Sequence, residues 1–168
     1  MKKGLVIGII SFFLLACWGL VLGAEMVKEG ESHYKAAMSA TFKGLPMEKE
    51  RVEWQFEVFG VVVEAKDDSP LNNATFYGLG ELHAFKGAYE ERGFVRYTRP
   101  DGDLIFATYE AKGTLGGERK LKIIFVGGTG KCVGITGSGE WTGVSGLRPP
   151  KEGVGMSVSV GKFSWKIS

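Results

Sequence analysis

The chain has 168 residues, 44% of them hydrophobic and 12% aromatic, with 21 Lys+Arg against 19 Asp+Glu and a formal net charge of +2. That length suits one domain with a real core, and the near balance of charge excludes the basic stripe of a nucleic-acid binder. Its 26 glycines and weak helical periodicity argue against a helical fold.

The N-terminus comes first. Met1-Lys2-Lys3 is a short basic head, residues 4–22 are almost wholly apolar, and Val21-Leu22-Gly23-Ala24 offers small residues before Glu25. This is the layout of a secretory signal peptide, cleaved after Gly23 or Ala24. The expected organisation is therefore a signal peptide over residues 1–24 and a single domain over 25–168, exported to the periplasm or outside a bacterial cell. Two alternatives stay open. Leu14-Leu15-Ala16-Cys17 resembles a bacterial lipobox, which would anchor the protein by lipid at Cys17, and the apolar run is long enough to serve as an uncleaved membrane anchor. Lys2 and Lys3 leave with the segment, so the remaining basic residues equal the 19 acidic ones. Cys132 is then left alone, which excludes an intramolecular disulfide and reads first as a small buried hydrophobe.

Beyond residue 25, period-two alternation predicts about eight strands. The first lies over 32–43 and stops at Gly44-Leu45-Pro46. The second, over 51–65, is the clearest: Val52, Trp54, Phe56 and Val58 point one way, and Arg51, Glu53, Gln55 and Glu57 the other. It ends at the turn cluster Lys66-Asp67-Asp68-Ser69-Pro70. The third covers 74–85 and the fourth 94–98. Arg99-Pro100-Asp101-Gly102-Asp103 marks a tight hairpin into a fifth strand over 104–111. The sixth covers 120–126, with Leu121, Ile123 and Phe125 on one face. The seventh covers 139–144 and the eighth 154–167. In the last, Met156, Val158 and Val160 share one parity, while Phe163, Trp165 and Ile167 share the other. The intervening Gly161 predicts a β-bulge that turns both apolar sets inward. Eight short-turned strands fit a closed antiparallel barrel, which leaves no edges exposed; a β-sandwich is the alternative.

The stretch Gly127-Gly128-Thr129-Gly130-Lys131 invites a phosphate-loop reading, and the residues refuse it. The first glycine of that motif would fall at Phe125, Cys132 replaces the magnesium-binding Ser or Thr, and a β-rich, glycine-rich segment follows instead of a helix. The glycines read as a backbone corner.

That corner carries a resemblance. Gly127-Gly128-Thr129-Gly130-Lys131 followed by Gly134-Ile135-Thr136-Gly137-Ser138-Gly139 resembles the glycine signature of the allene oxide cyclase-like barrel, which dirigent proteins share. Asp101-Gly102-Asp103 ahead of a strand with Phe106 is similar to it too, and the closest likeness is to uncharacterised secreted bacterial members. The resemblance spans roughly residues 78–141. It implies an eight-stranded antiparallel barrel with a central cavity, and homo-oligomers of the kind dirigent proteins form. Plant cyclases of this type isomerise a fatty-acid epoxide, and dirigent proteins steer phenolic radical coupling; neither catalytic set is found on this chain, and fold likeness does not transfer function.

Candidate chemistry is sparse. Glu81 and His83 share a strand face, with Glu53 and Glu57 on the neighbouring strand, and could form an acid–base group at a barrel mouth; the competing reading is a solvated outer face. With two histidines and no Cys-x-x-Cys or His-x-x-x-His spacing, no metal site is expected, and no cofactor. Trp54, Phe56, Phe106, Phe125 and Trp141 are the candidate ligand-binding aromatics, since ligand pockets are mostly apolar. The sequence leaves a filled and a hollow barrel equally open. The favoured reading is an exported barrel that binds a small apolar ligand or partner, with no nucleic acid and no membrane contact beyond the signal segment. The alternatives are an isomerase or cyclase acting on a lipid-like or phenolic substrate, and a structural envelope protein.

Overall fold

The computed structural model describes residues 26–144, 147–148 and 151–168; the expected signal peptide lies outside the described residues. Eight strands, β1 (Glu29–Pro46), β2 (Arg51–Ala65), β3 (Thr75–Phe85), β4 (Ala88–Thr98), β5 (Leu104–Thr114), β6 (Lys120–Gly128), β7 (Ile135–Val144) and β8 (Val154–Ile167), follow one another around a closed barrel. Every neighbouring pair is antiparallel, and β1 closes the ring on β8 from Glu29↔Lys166 to Thr41↔Val154. The all-β, eight-stranded antiparallel barrel expected from the alternation is the fold.

Inward positions alternate with outward ones along each strand, as the pleat requires. Tyr89, Glu91, Val95 and Tyr97 of β4 face in, as do Ile105, Ala107, Tyr109 and Ala111 of β5 and Leu121, Ile123 and Phe125 of β6. β4 begins six residues earlier than the alternation suggested, because the charged run Glu90-Glu91-Arg92 hides a strand that turns one carboxylate inward.

The bulges are not where Gly161 pointed. β8 pairs without interruption through Gly161 on both sides; Met156 and Val160 face outward, and Ser159 is buried in their place. The interior is narrow there. Tyr34 packs against Gly161, and Ser159 Oγ donates to Ala36 O at 3.2 Å, so a small hydroxyl fits where valine would not. Register shifts occur instead in β2, where Val63 is the extra residue opposite Lys35/Ala36, and in β6, where Val126 is extra opposite Phe106/Ala107.

One end of the barrel is plugged. The β2–β3 connection folds inward, burying Ser69, Pro70, Leu71 and Ala74, and Arg99 Nη1 holds it by donating to Pro70 O at 2.8 Å. Val62, Ile105, Cys132 and Ile135 pack beneath it, each at most 1% exposed. The glycine corner completes this end. A 3-10 turn (Gly130–Cys132) is hooked to the β4–β5 turn: Lys131 N donates to Asp103 Oδ2 at 2.8 Å and Leu104 N to Thr129 Oγ1 at 2.9 Å. Gly130, at φ 53°, lies against the Asp103 carboxylate so closely that a Cβ would collide with it. The glycines serve this mechanical contact. Below the plug, Phe163 packs edge-on to Tyr34 and Phe125, with ring centroids 5.6 and 5.7 Å apart, and tilted against Trp165 at 5.4 Å.

Candidate functional site

Toward the other end the core gives way to a cavity of about 210 Å³. Its walls are apolar, from Ala36, Met38, Phe56, Phe76, Val95 and Ile123 among others, and Phe42 and Met156, both partly exposed, stand where it meets solvent. The volume is about seven times the share of one water in the liquid and lies below the range of drug-sized sites.

Six polar side chains also line it: Tyr34, Tyr97, Tyr109, Arg119, Trp141 and Ser157. Inward parity on β1, β4, β5 and β7 puts Tyr34, Tyr97, Tyr109 and Trp141 there, and Arg119 lies just before β6. The Tyr34 and Tyr109 hydroxyls and Trp141 Nε1 are buried with no hydrogen-bond partner among the described residues, as is the hydroxyl of neighbouring Tyr89. Burial pushes the Tyr34 and Tyr109 phenols well above their ordinary range, so both stay protonated and able to donate.

Arg119 is held in place by Glu91. Its Nε donates to Glu91 Oε2 at 2.7 Å and its Nη2 to Oε1, a two-point pair with the carboxylate wholly buried and the guanidinium about one-third exposed. The guanidinium lies 5.9 Å from the Phe56 ring centroid and 5.8 Å from that of Trp141, within cation–π range. Glu91, Arg119 and the three tyrosines were not singled out from sequence. The signal was present only in the parity of β1, β4 and β5, and of the residue that precedes β6.

The sequence-derived candidates divide. Phe56 and Trp141 line the cavity. Trp54 faces inward but packs over Gly44, outside the cavity wall. Phe125 is buried in the aromatic layer next to the plug. Phe106 points outward and is 36% exposed, since the inward set of β5 is the odd-numbered one. Glu53, Glu81 and His83 come together, but on the outer face, not at the barrel mouth where the acid–base reading placed them. His83 Nδ1 contacts Glu53 Oε2, and Nε2 lies 3.5 Å from Glu81 Oε1. Arg51 Nε donates to Glu53 at 2.9 Å and Arg92 Nε to Glu81 at 2.6 Å. Glu57 also faces out. The physical reason is that β3 turns Phe76, Gly78, Gly80 and Ala84 inward, leaving the odd positions to solvent. Cys132 is fully buried, and burial raises its thiol. Asp101 is committed to Arg99 at 3.2 Å and Lys131 at 3.1 Å.

None of the known family models matches the chain, nor does any curated protein sequence. Among solved structures the chain is similar to the pterocarpan synthase dirigent protein GePTS1, with a TM-score of 0.51 and 12% identity over 86% of this chain and 89% of that one. The architecture is thus a dirigent-like barrel.

Proposed function

We propose that this protein is an exported binding barrel that takes one small, largely apolar molecule into its interior. The observation that carries the reading is the 210 Å³ apolar-walled cavity bordered by buried, unpartnered polar atoms, the composition of a small-molecule site. A structural envelope barrel would be filled by side chains, so the cavity favours binding. The dirigent neighbour is named for pterocarpan synthesis; at 12% identity it lends this chain a fold and no chemistry. The outward placement of Glu53, Glu57, Glu81 and His83 takes them away from this cavity, so an acid–base isomerase reading would have to rest on the outer grooves that they line beside Phe94 and Phe85. The test is native mass spectrometry of the protein purified from the periplasm. A near-stoichiometric small apolar molecule, released on denaturation, is expected; an apo mass, unchanged after incubation with small hydrophobic probes, contradicts the reading.

A further inference from the structure

The polar lining of the cavity is unbalanced. Trp141 Nε1 can only donate, and so can Arg119. The strongest acceptor nearby, the Glu91 carboxylate, has both oxygens taken by the Arg119 fork, which leaves Arg119 Nη1 outside the pair. The Tyr34 and Tyr109 hydroxyls accept as well as donate, yet neither finds a partner among the described residues, and nor does Trp141 Nε1. A buried donor without an acceptor is costly, and a guest that supplies one relieves that cost.

Charge narrows the choice further. Arg119 is already neutralised by Glu91, whose side chain is 0% exposed. An incoming carboxylate would set a second negative charge beside a buried one, with no second cation among the described lining residues to meet it. The apolar remainder of the wall and the small volume limit the guest to a compact hydrocarbon body.

Resting on the proposed interior binding, we infer that the site selects a compact neutral molecule carrying a hydrogen-bond-acceptor oxygen, a carbonyl or ether, which Trp141 and Tyr109, whose donor atoms are sealed in the wall, engage by a small shift of their side chains, and that it rejects carboxylates. Specificity of this kind arises because a guest lacking the acceptor leaves the buried donors unpaired.

The experiment compares three probes that share one bicyclic body: indane, 1-indanone and indane-1-carboxylate. Their binding to the purified protein is measured by calorimetry at neutral pH, for the wild type, for Trp141→Phe, which keeps a ring and removes the N–H, and for Tyr109→Phe. The wild type is expected to bind 1-indanone roughly tenfold more tightly than indane, and the carboxylate more weakly than either. Within either variant, ketone and hydrocarbon should bind to within about twofold of one another, whatever the variant's own affinity for indane. Equal wild-type affinity for indane and 1-indanone overturns the acceptor selection and leaves interior binding standing. Tightest binding of the carboxylate overturns it as well, and so does a ketone preference that persists in both variants. Failure of all three probes to bind overturns it together with the interior reading.

Discussion

Arg119 and Glu91 form a two-point ion pair across the inner wall of the barrel, with the carboxylate sealed from solvent and the guanidinium about one-third exposed. The two partners are therefore not equivalent. Arg119→Met strands a buried carboxylate and is expected to cost about 3–5 kcal/mol. Glu91→Gln leaves a cation that reaches water and should cost less. The double replacement, Glu91→Leu with Arg119→Met, should be more stable than Arg119→Met alone. Urea unfolding of the four proteins checks this; equal losses for the two single variants would contradict it.

Gly80 lies beneath Tyr109 and Phe56, and a Cβ added there would press into the Tyr109 hydroxyl and the Phe56 ring. Gly80→Ala is expected to destabilise by about 1–3 kcal/mol through overpacking. Tyr109→Phe removes the hydroxyl that stands nearest and should recover part of that loss when combined with it. A thermal-melt cycle over the four proteins measures the coupling; strict additivity would count against this contact.

His83 is raised above its ordinary value, chiefly by its hydrogen bond to Glu53, with Glu81 adding to it. A raised folded-state value means that protonation favours the folded protein. This stabilisation is complete below about pH 6.5, the reference for an unfolded histidine, and is lost as pH rises through the raised folded value. The group is half-exposed, so salt weakens the effect. An NMR titration should place His83 above 6.5 and show it falling toward 6.5 in Glu53→Gln; a wild-type midpoint at or below 6.5 would refute the assignment.

Cys132 is fully buried beneath the plug and its thiol is raised by burial. Aromatic disulfide reagents should therefore label it only as fast as the plug end opens. Asp103→Ala, which unhooks the Lys131 amide, should speed labelling several-fold at unchanged pH. Immediate stoichiometric labelling of the native protein would contradict the buried placement.

Much of the fold was legible because alternation is strong where one face is apolar and the other charged. In β2, Trp54 and Phe56 against Glu53 and Gln55 fixed strand and face together. The glycine corner was legible as mechanics, since its residues fail the phosphate-loop spacing. β3 was harder to read. Phe76 and Tyr77 both look buriable, and only closure of the barrel sends Tyr77, Leu79 and His83 outward. β8 misled because apolar parity changes at Gly161, whereas the space beside Tyr34 and Ala36 selects Ser159. Glu91 escaped notice because a carboxylate in a charged run reads as solvated; its burial depends on Arg119, 28 residues away. A site built from such long-range pairs has no local signature.

The central claim is that the cavity beside Trp141 is where a small molecule binds. The protein has four tryptophans; Trp18 lies in the expected signal peptide, and the indole N–H signals of Trp54, Trp141 and Trp165 can be resolved by nitrogen-15 NMR. Trp165 Nε1 already donates to Val27 O at 3.0 Å, and Trp54 sits over Gly44 away from the cavity. Titration with 1-indanone should move the Trp141 signal downfield and saturate, with the Trp54 and Trp165 signals holding still. A Trp141 signal that stays fixed at saturating probe, or movement confined to Trp54, would contradict the claim.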